Sequence, residues 1–319
     1  MGEPGSVRGA LVELYRTTNG QQWANNANWL SDESICTWNG VSCLADGSVT
    51  RLELVRNNLR GTLPQRLAYA PFLVSLNISV NAITGTIPPH FTTGMPNITS
   101  IHFDTNQVSG TLPTELGALT RLRSIYAHRN QQLSGVIPSQ IGRLSQLQRF
   151  FLDTCRLSGT LPSQFVESAR FGQDLEGISL YDTRLSGTLP SGTFRRFRRM
   201  AAWLGGRNHM SGTIPTEIGL RSDTLQQVFF DSTRLSGSLP SELGLLSRVF
   251  SFWVANSRFT GTLPASLANL TAIRTNQNSQ CVLRGALNPD SRGQSNFVRP
   301  RRALEPGTRV TCAALWCWY

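Results

Sequence analysis

A four-residue element, Gly-x-Leu/Ile-Pro, recurs along most of this chain and constrains its fold more than any other feature. Its proline stands at positions 64, 88, 113, 138, 162, 190, 215, 240 and 264, so the steps are 24, 25, 25, 24, 28, 25, 25 and 24 residues. Such a period is typical of repeat proteins in which each turn buries its apolar side chains only against its neighbours. We therefore predict one stacked array of nine to ten turns rather than two globular domains.

Each turn reads apolar-x-apolar-x-x-Asn-x-apolar-Ser-Gly-Thr-Leu-Pro, as in Leu76 to Pro88. The alternation of apolar residues predicts a short strand with one buried face, and the residues after the proline predict a short helix or 3₁₀ segment. An Asn side chain can bond backbone groups left open where the chain leaves the strand. The residues at this position are Asn57, Asn81, Asn106, Asn130, Cys155, Thr183, Asn208, Thr233 and Ser257. Cys155 is therefore interpreted as a structural core thiol.

The Leu-Ser-Gly-Thr-Leu-Pro signature resembles the plant-type leucine-rich repeats of receptor-kinase ectodomains, polygalacturonase-inhibiting proteins and kinetoplastid or other protist surface antigens. The segment from Ala10 to Cys43, with its tryptophans, is similar to the N-terminal cap of that family. The resemblance implies an α/β repeat fold: a right-handed solenoid with a concave parallel β-sheet, convex short helices or 3₁₀ segments, a second short sheet and capped ends. It also implies a cap of two helices with a Cys36–Cys43 disulfide, which the short spacing of these cysteines suits.

Three regions follow from this reading. We predict an N-terminal helical cap with its disulfide over 1–48, the leucine-rich-repeat solenoid over 49–285, and a basic C-terminal cap or tail over 286–319. The sequence leaves the pairing of Cys281, Cys312 and Cys317 open.

Cysteines and glycosylation sequons favour an extracellular or cell-surface location. The sequons place candidate glycosylation sites at Asn77, Asn97 and Asn269. The first residues hold no apolar run that could act as a signal peptide, so we expect a signal or anchor to be trimmed or missing. No apolar run is long enough to span a membrane.

All 30 basic residues are Arg, set against 19 acidic residues, for a formal charge of +11. This charge predicts weak contact with anionic surfaces but does not identify a binding partner. A basic patch at Arg195, Arg196, Arg198 and Arg199 is interpreted mainly as a solvated convex face. No nucleic-acid-binding module accompanies the charge.

Side chains between the inward strand positions are expected to point into the concave face. There, aromatic and acidic residues predominate, a combination that suits a protein or a hydroxyl-rich glycan. The candidate partner-binding residues are His102, Asp104, Tyr126, His128, Phe151, Asp153, Tyr181, Phe229, Asp231 and Trp253. Asp104 and Asp153 are predicted to flank His128 and to make this patch respond to pH.

We therefore predict a non-catalytic module that recognises a protein or glycan through its concave face, without a cofactor or a metal site. Two other interpretations stay open: an inhibitor of a secreted glycan-degrading enzyme, and a structural or adhesive surface antigen. A third, ice binding, follows from the Ser/Thr-Gly-Thr element, which places hydroxyls in two regular columns. Ice binding requires these hydroxyls to form a flat and exposed array.

Overall fold

The alternating apolar residues form short strands, as the repeat predicts. The structure is a computed structural model that describes residues 6–90, 94–168, 171–270, 272 and 280–282. The chain divides into two units, residues 1–158 with 168–171 and residues 159–167 with 172–319. The predicted tail over 286–319, with Cys312 and Cys317, lies outside the described residues.

The first unit carries one parallel sheet along its predicted strand positions. Its strands, in chain order, are β1 (Val41–Cys43), β2 (Val49–Glu53), β3 (Arg60–Thr62), β4 (Ser75–Asn77), β5 (Ala82–Thr84), β6 (Ser100–His102), β7 (Ser109–Thr111), β8 (Ser124–Tyr126), β9 (Gln132–Val136), β10 (Arg149–Phe151) and β11 (Arg156–Thr160). Strands β2, β4, β6, β8 and β10 pair in parallel in that order, while β1 pairs with β2 antiparallel. The even-numbered strands thus place equivalent residues of successive turns side by side.

The second unit repeats this arrangement. Its strands are β12 (Gly177–Ser179), β13 (Arg184–Ser186), β14 (Ala202–Leu204), β15 (Ser211–Gly212), β16 (Gln227–Phe229), β17 (Arg234–Gly237), β18 (Ser251–Trp253), β19 (Arg258–Phe259) and β20 (Gln280–Val282). Strands β12, β14, β16, β18 and β20 form its parallel sheet. Trp203 and Gly205, which the repeat places at inward positions, are both buried.

A second set of short strands follows the turn at the Asn position of each repeat, as the resemblance implies. In the first unit β3 pairs with β5, and β7 pairs with β9. In the second unit β15 pairs with β17, and β17 with β19. The glycine of the repeat takes a positive φ here, for example 77° at Gly110, where a side chain would be strained.

Among the described residues, the helical segments of the repeats are short and follow the repeat prolines, while three others lie in the N-terminal cap. The α-helices are α1 (Val7–Thr17), α2 (Gln164–Glu167) and α3 (Thr193–Arg196). The 3₁₀ segments are Gly20–Gln22, Ile35–Thr37, Gln65–Tyr69, Thr114–Ala118, Ser139–Arg143, Thr216–Arg221, Ser241–Leu245 and Ala265–Asn269. Pro113 and Pro138 each precede such a segment in an extended conformation, which fits the rigid φ of proline.

In the described part of the N-terminal cap, residues 6–48, there is one α-helix and not the two that the resemblance implies. Ser6 caps α1 by accepting a hydrogen bond from the Gly9 backbone N–H. After α1 the chain forms only 3₁₀ turns, and Asn19, Asn28 and Leu30 take left-handed conformations that a helix cannot accommodate.

Aromatic rings build the interior of this cap. Trp29 contacts Trp23, Trp38 and Tyr15, with ring centroids 4.7, 4.9 and 5.9 Å away. The predicted disulfide joins Cys36 to Cys43, with their Cα atoms 5.6 Å apart. Because the cap holds four buried rings, its stability does not depend on the disulfide alone.

The Asn residues after the strands form a ladder of hydrogen bonds to backbone groups, as predicted, and all but the half-buried Asn81 are buried. Asn130 is fully buried; its amide donates to the carbonyls of Phe103 and Ala127 at 3.1 and 2.8 Å and accepts from the Val108 N–H at 2.9 Å. Thr233 and Ser257 replace part of this pattern by donating to the Phe230 carbonyl. The ladder therefore binds each turn to the one before it.

Cys155 occupies the Asn position and is a buried free thiol. Its sulfur lies 3.4 Å from the Ala127 carbonyl oxygen, so it contacts the preceding turn as the Asn side chains do. Burial raises the pKa of the Cys155 thiol to about 12.

We expect Cys155 to resist alkylation in the folded protein, because almost no thiolate forms near pH 8. Peptide mapping by mass spectrometry after iodoacetamide treatment measures this residue separately from the other cysteines. The unfolded chain in urea serves as the control and should be fully modified. Rapid native modification of Cys155 would show that the thiol is accessible.

Candidate functional site

The outer side of the parallel strands, which we call the strand face, carries the predicted binding residues in register. In the first unit Asn77 pairs with His102, His102 with Tyr126, and Tyr126 with Phe151. The residues between these positions along each strand, such as Ile125 and Phe150, are buried. The sequence alternation therefore places this row on the outer side of the sheet.

The rings of the first unit contact each other from turn to turn. The ring centroids of His102 and Tyr126 lie 4.3 Å apart at 78°, and those of Tyr126 and Phe151 lie 4.9 Å apart at 90°. All three side chains are half-buried. Edge-to-face contacts of this kind restrict ring rotation, so little side-chain entropy remains to be lost when a partner binds.

His102 is fixed by two serines that the sequence analysis did not single out. Its Nε2 lies 2.9 Å from Ser100 Oγ and 3.1 Å from Ser124 Oγ. Ser100 and Ser124 begin β6 and β8 and are paired in register, so the alternation alone could have placed them beside His102. Burial lowers the pKa of His102, and the nearby Asp104 and Glu53 carboxylates oppose only part of that shift.

The lowered pKa predicts how His102 responds to acid. A neutral His102 is favoured in the folded chain, so its contribution to stability is complete above its ordinary pKa of about 6.5 and is lost as the pH falls below that value. An NMR titration should give a midpoint for His102 below that of the urea-unfolded chain. A midpoint at or above the unfolded value would contradict this description of the ring.

A second row on the strand face of the first unit is polar. Ser79 donates a short hydrogen bond to Asp104 Oδ1, and Asp104 Oδ2 lies 3.5 Å from His128 Nε2. Of the two carboxylates predicted to flank His128, Asp104 therefore makes an ion pair when the ring is protonated. Asp153 lies one turn further on and is half-buried.

The strand face of the second unit also carries aromatic residues. Phe229 and Trp253 stack with centroids 4.7 Å apart and an interplanar angle of 16°. Tyr181 contacts Phe229 at 6.0 Å, and its hydroxyl donates to Asp231 Oδ2 at 3.1 Å. Desolvation by burial raises the pKa of the Tyr181 hydroxyl to about 12, and the nearby Asp231 carboxylate adds to this shift.

Asp231, a candidate partner-binding residue at an outward strand position, is almost completely covered. Only 6% of it is exposed. The physical reason is Gly206, whose missing side chain lets Tyr181 reach across one turn and cover the carboxylate.

The basic patch is exposed at Arg195, Arg198 and Arg199, whereas Arg196 is half-buried. Arg199 pairs with Asp174 at 3.2 Å, and the Arg198 backbone carbonyl accepts a hydrogen bond from Arg221. The patch is therefore partly neutralised, which weakens its attraction for anions. Contact with an anionic surface stays a prediction.

The three sequon asparagines differ in accessibility. Asn77 is half-buried in β4, and the Asn97 amide bonds Pro71 and Arg121. Asn269 is exposed at the end of its 3₁₀ segment. Of the three, Asn269 presents the side chain most open to a glycosyltransferase.

The described residues hold neither a candidate metal centre nor a membrane-spanning helix. In that part of the chain, no cluster of three or more His, Cys, Asp or Glu side chains could hold a metal ion. Nor is any helix there both long enough and apolar enough to cross a membrane.

Sequence comparison finds that parts of the chain are similar to plant leucine-rich-repeat receptor-like kinases. The chain is 35% identical over 74 residues to a probable leucine-rich-repeat receptor-like protein kinase of Arabidopsis thaliana, a match that covers 22% of this chain and 6% of the relative. It is 34% identical over 84 residues to protein MALE DISCOVERER 2 of the same plant, covering 26% and 12% of the two chains. No family model matches the chain.

The solved structures extend this likeness over most of the chain. The ectodomain of the Arabidopsis thaliana receptor kinase GASSHO1/SCHENGEN3, in complex with CASPARIAN STRIP INTEGRITY FACTOR 2, superposes with a TM-score of 0.65 and 26% identity over 88% of this chain and 38% of that one. The chain is a plant-type leucine-rich-repeat solenoid. It spans only about 6 to 12% of the first curated relatives that it matches.

Another structure matches the leucine-rich-repeat solenoid over nearly its whole length. A plant ice-binding protein superposes with a TM-score of 0.73 over 88% of this chain and 86% of that one. At 20% identity this match shows the fold alone.

Proposed function

We propose that this chain is a non-catalytic, extracellular or cell-surface module that binds a protein or peptide segment on its strand face. The observation that carries this proposal is the row of half-buried rings His102, Tyr126 and Phe151, which contact one another in register on the outer side of the sheet. The Phe229–Trp253 stack gives the second unit a similar surface. Aromatic side chains held in this way supply large contact areas at low entropic cost.

The related ectodomains support a peptide or protein ligand rather than a glycan. The GASSHO1/SCHENGEN3 ectodomain and the peptide hormone receptor RGFR1, each 26% identical to this chain, were solved with bound ligands. The cap disulfide is consistent with an oxidising, extracellular location.

A selection of displayed peptides on the purified chain tests this function, with a glycan array as the parallel arm. We expect saturable binding of recovered peptides, at about micromolar affinity or better, and loss of binding after heat unfolding. Saturable binding to a glycan alone would overturn the peptide proposal. Inhibition of a glycan-degrading enzyme, or no binding by either arm, would favour the inhibitor or structural interpretation.

A specific observation favours ice binding as a second candidate function. The Thr of Gly-Thr-Leu/Ile-Pro is exposed on successive turns, at Thr62, Thr86 and Thr111 in the first unit. A Cβ placed on Gly110 would lie 2.8 Å from Thr86 Cγ2, so each Thr methyl packs on the glycine of the next turn and fixes the side chain. The result is a regular row of exposed threonines.

The other predicted hydroxyl column does not contribute. Ser109 and Ser134 donate to the carbonyls of Gly85 and Gly110, at 3.1 and 3.2 Å, so their hydroxyls are engaged by the backbone. In the row of threonines Val136 also interrupts the hydroxyls. Ice binding thus depends on one column rather than on the two expected from the sequence.

Thermal hysteresis and ice recrystallisation assays test this second candidate. If the threonine row binds ice, Thr86→Tyr with Thr111→Tyr should abolish activity, while substitution of the strand-face rings leaves it unchanged. Absence of activity in the wild-type chain excludes this function.

A further inference from the structure

The Asp231 carboxylate is the least satisfied acidic group on the strand face of the second unit. Its Oδ2 accepts the Tyr181 hydroxyl, but its Oδ1 is buried and has no hydrogen-bond partner among the described residues. A buried carboxylate oxygen without a donor is costly, because it has lost its hydration and gained nothing in return.

The equivalent carboxylate in the first unit shows the difference. Asp104 occupies the same row, and both of its oxygens have partners, Ser79 on one and His128 on the other. Asp231 faces Gly206 on the preceding turn, which offers no such group.

Gly206 also explains how Asp231 is covered. A Cβ at this position would lie 2.3 Å from Asp231 Oδ1 and 2.7 Å from Tyr181 Cε2, so both side chains rest directly on the glycine. Tyr181 therefore crosses this turn and lies over the carboxylate. The Tyr181 side chain itself is half-exposed.

The surroundings of Tyr181 indicate which ligand chemistry fits. The guanidinium carbon of the exposed Arg207 lies 5.5 Å from the Tyr181 ring centroid, so this ring already holds a cation. Burial raises the pKa of Asp231, although the Tyr181 hydroxyl and the Arg207 charge oppose this shift. A cationic donor would satisfy both the open oxygen and the desolvated charge, whereas a neutral donor would satisfy only the oxygen.

We propose that Asp231, Tyr181 and Gly206 form a subsite for a basic side chain, a guanidinium above all, of the protein segment bound on the strand face. This inference rests on the proposed binding function and adds the chemistry of one ligand residue. Tyr181 turns aside, the guanidinium donates to the Asp231 carboxylate, and the Phe229–Trp253 stack borders the apolar part of the side chain. Arg207 occupies part of this position in the free chain and competes with the ligand.

NMR titration with Nα-acetyl-arginine amide tests the subsite, with the neutral isostere Nα-acetyl-citrulline amide as the matched ligand. We expect the arginine compound to bind at about 1 mM and the citrulline compound about tenfold more weakly. Asp231→Asn should lower arginine binding about tenfold. Asp223→Asn, at an exposed carboxylate in the turn before β16 and outside the strand face, is the matched control and should leave it unchanged.

Arg207→Gln should change the affinity for the arginine compound in the opposite direction. This test does not require the Asp231→Asn variant to fold. Removal of this exposed competitor should strengthen arginine binding several-fold. Any one of three results would overturn the subsite. These are equal binding of both compounds, an unchanged affinity in Asp231→Asn, and no saturable arginine binding in Arg207→Gln. If a selected peptide still binds the wild-type chain in those cases, the subsite fails while the proposed function stands.

Discussion

Replacing Asn130 by Ala is expected to lower the free energy of unfolding by about 3 to 5 kcal/mol, since each buried polar group left without a partner costs about 1 to 3 kcal/mol. The substitution removes the bonds to the Phe103 and Ala127 carbonyls and to the Val108 N–H, all of them buried. Because Asn130 is fully buried, these groups are not in contact with bulk water in the folded chain. Urea unfolding followed by circular dichroism measures the change.

Gln131→Ala is the matched control, because this neighbouring side chain is exposed. It should change stability by less than about 0.5 kcal/mol. Similar effects of the two substitutions would show that the Asn ladder does not hold the turns together.

The combined substitution Tyr126→Ala, Phe151→Ala and Phe229→Ala is expected to weaken binding of a selected peptide at least about 100-fold, since truncation of a hot-spot residue typically costs about 2 kcal/mol or more. These rings form the centre of both aromatic groups on the strand face, so their loss removes contact area and frees the remaining rings. Because the rings are half-exposed, the fold should persist. Calorimetric titration and urea unfolding measure the two properties separately.

Tyr69→Ala with Phe72→Ala is the control for this variant. These two aromatic side chains are about half exposed, at 49% and 51%, but lie outside the strand face. Their removal should leave affinity unchanged. Peptide binding that survives the triple substitution and is lost in the control would move the binding site to that other surface.

The repeat predicted most of the fold because its period fixes many positions at once. Each strand, each buried Asn and each outward ring follows from its distance to the repeat proline, so Tyr126, Phe229 and Trp253 could be placed without coordinates. A parallel register then brings equivalent residues together from turn to turn.

Contacts that cross the repeat pattern could not be predicted in the same way. Tyr181 reaches Asp231 over Gly206, a contact between residues 50 positions apart that depends on a missing side chain rather than on a motif. Over residues 6–48 the cap has one α-helix, because the left-handed residues Asn19, Asn28 and Leu30 form turns where a second helix was expected. Such features depend on individual residues, so the pattern shared by the repeats does not predict them.

Hydroxyl-radical footprinting of the chain with and without a selected peptide tests the central claim, that the strand face is the binding surface. Oxidation of aromatic side chains reports their solvent exposure one residue at a time. We predict lower oxidation of Tyr126, Phe151, Phe229 and Trp253 in the complex, with Tyr69 and Phe72 unchanged. Protection of Tyr69 and Phe72 with no change on the strand face would contradict the account.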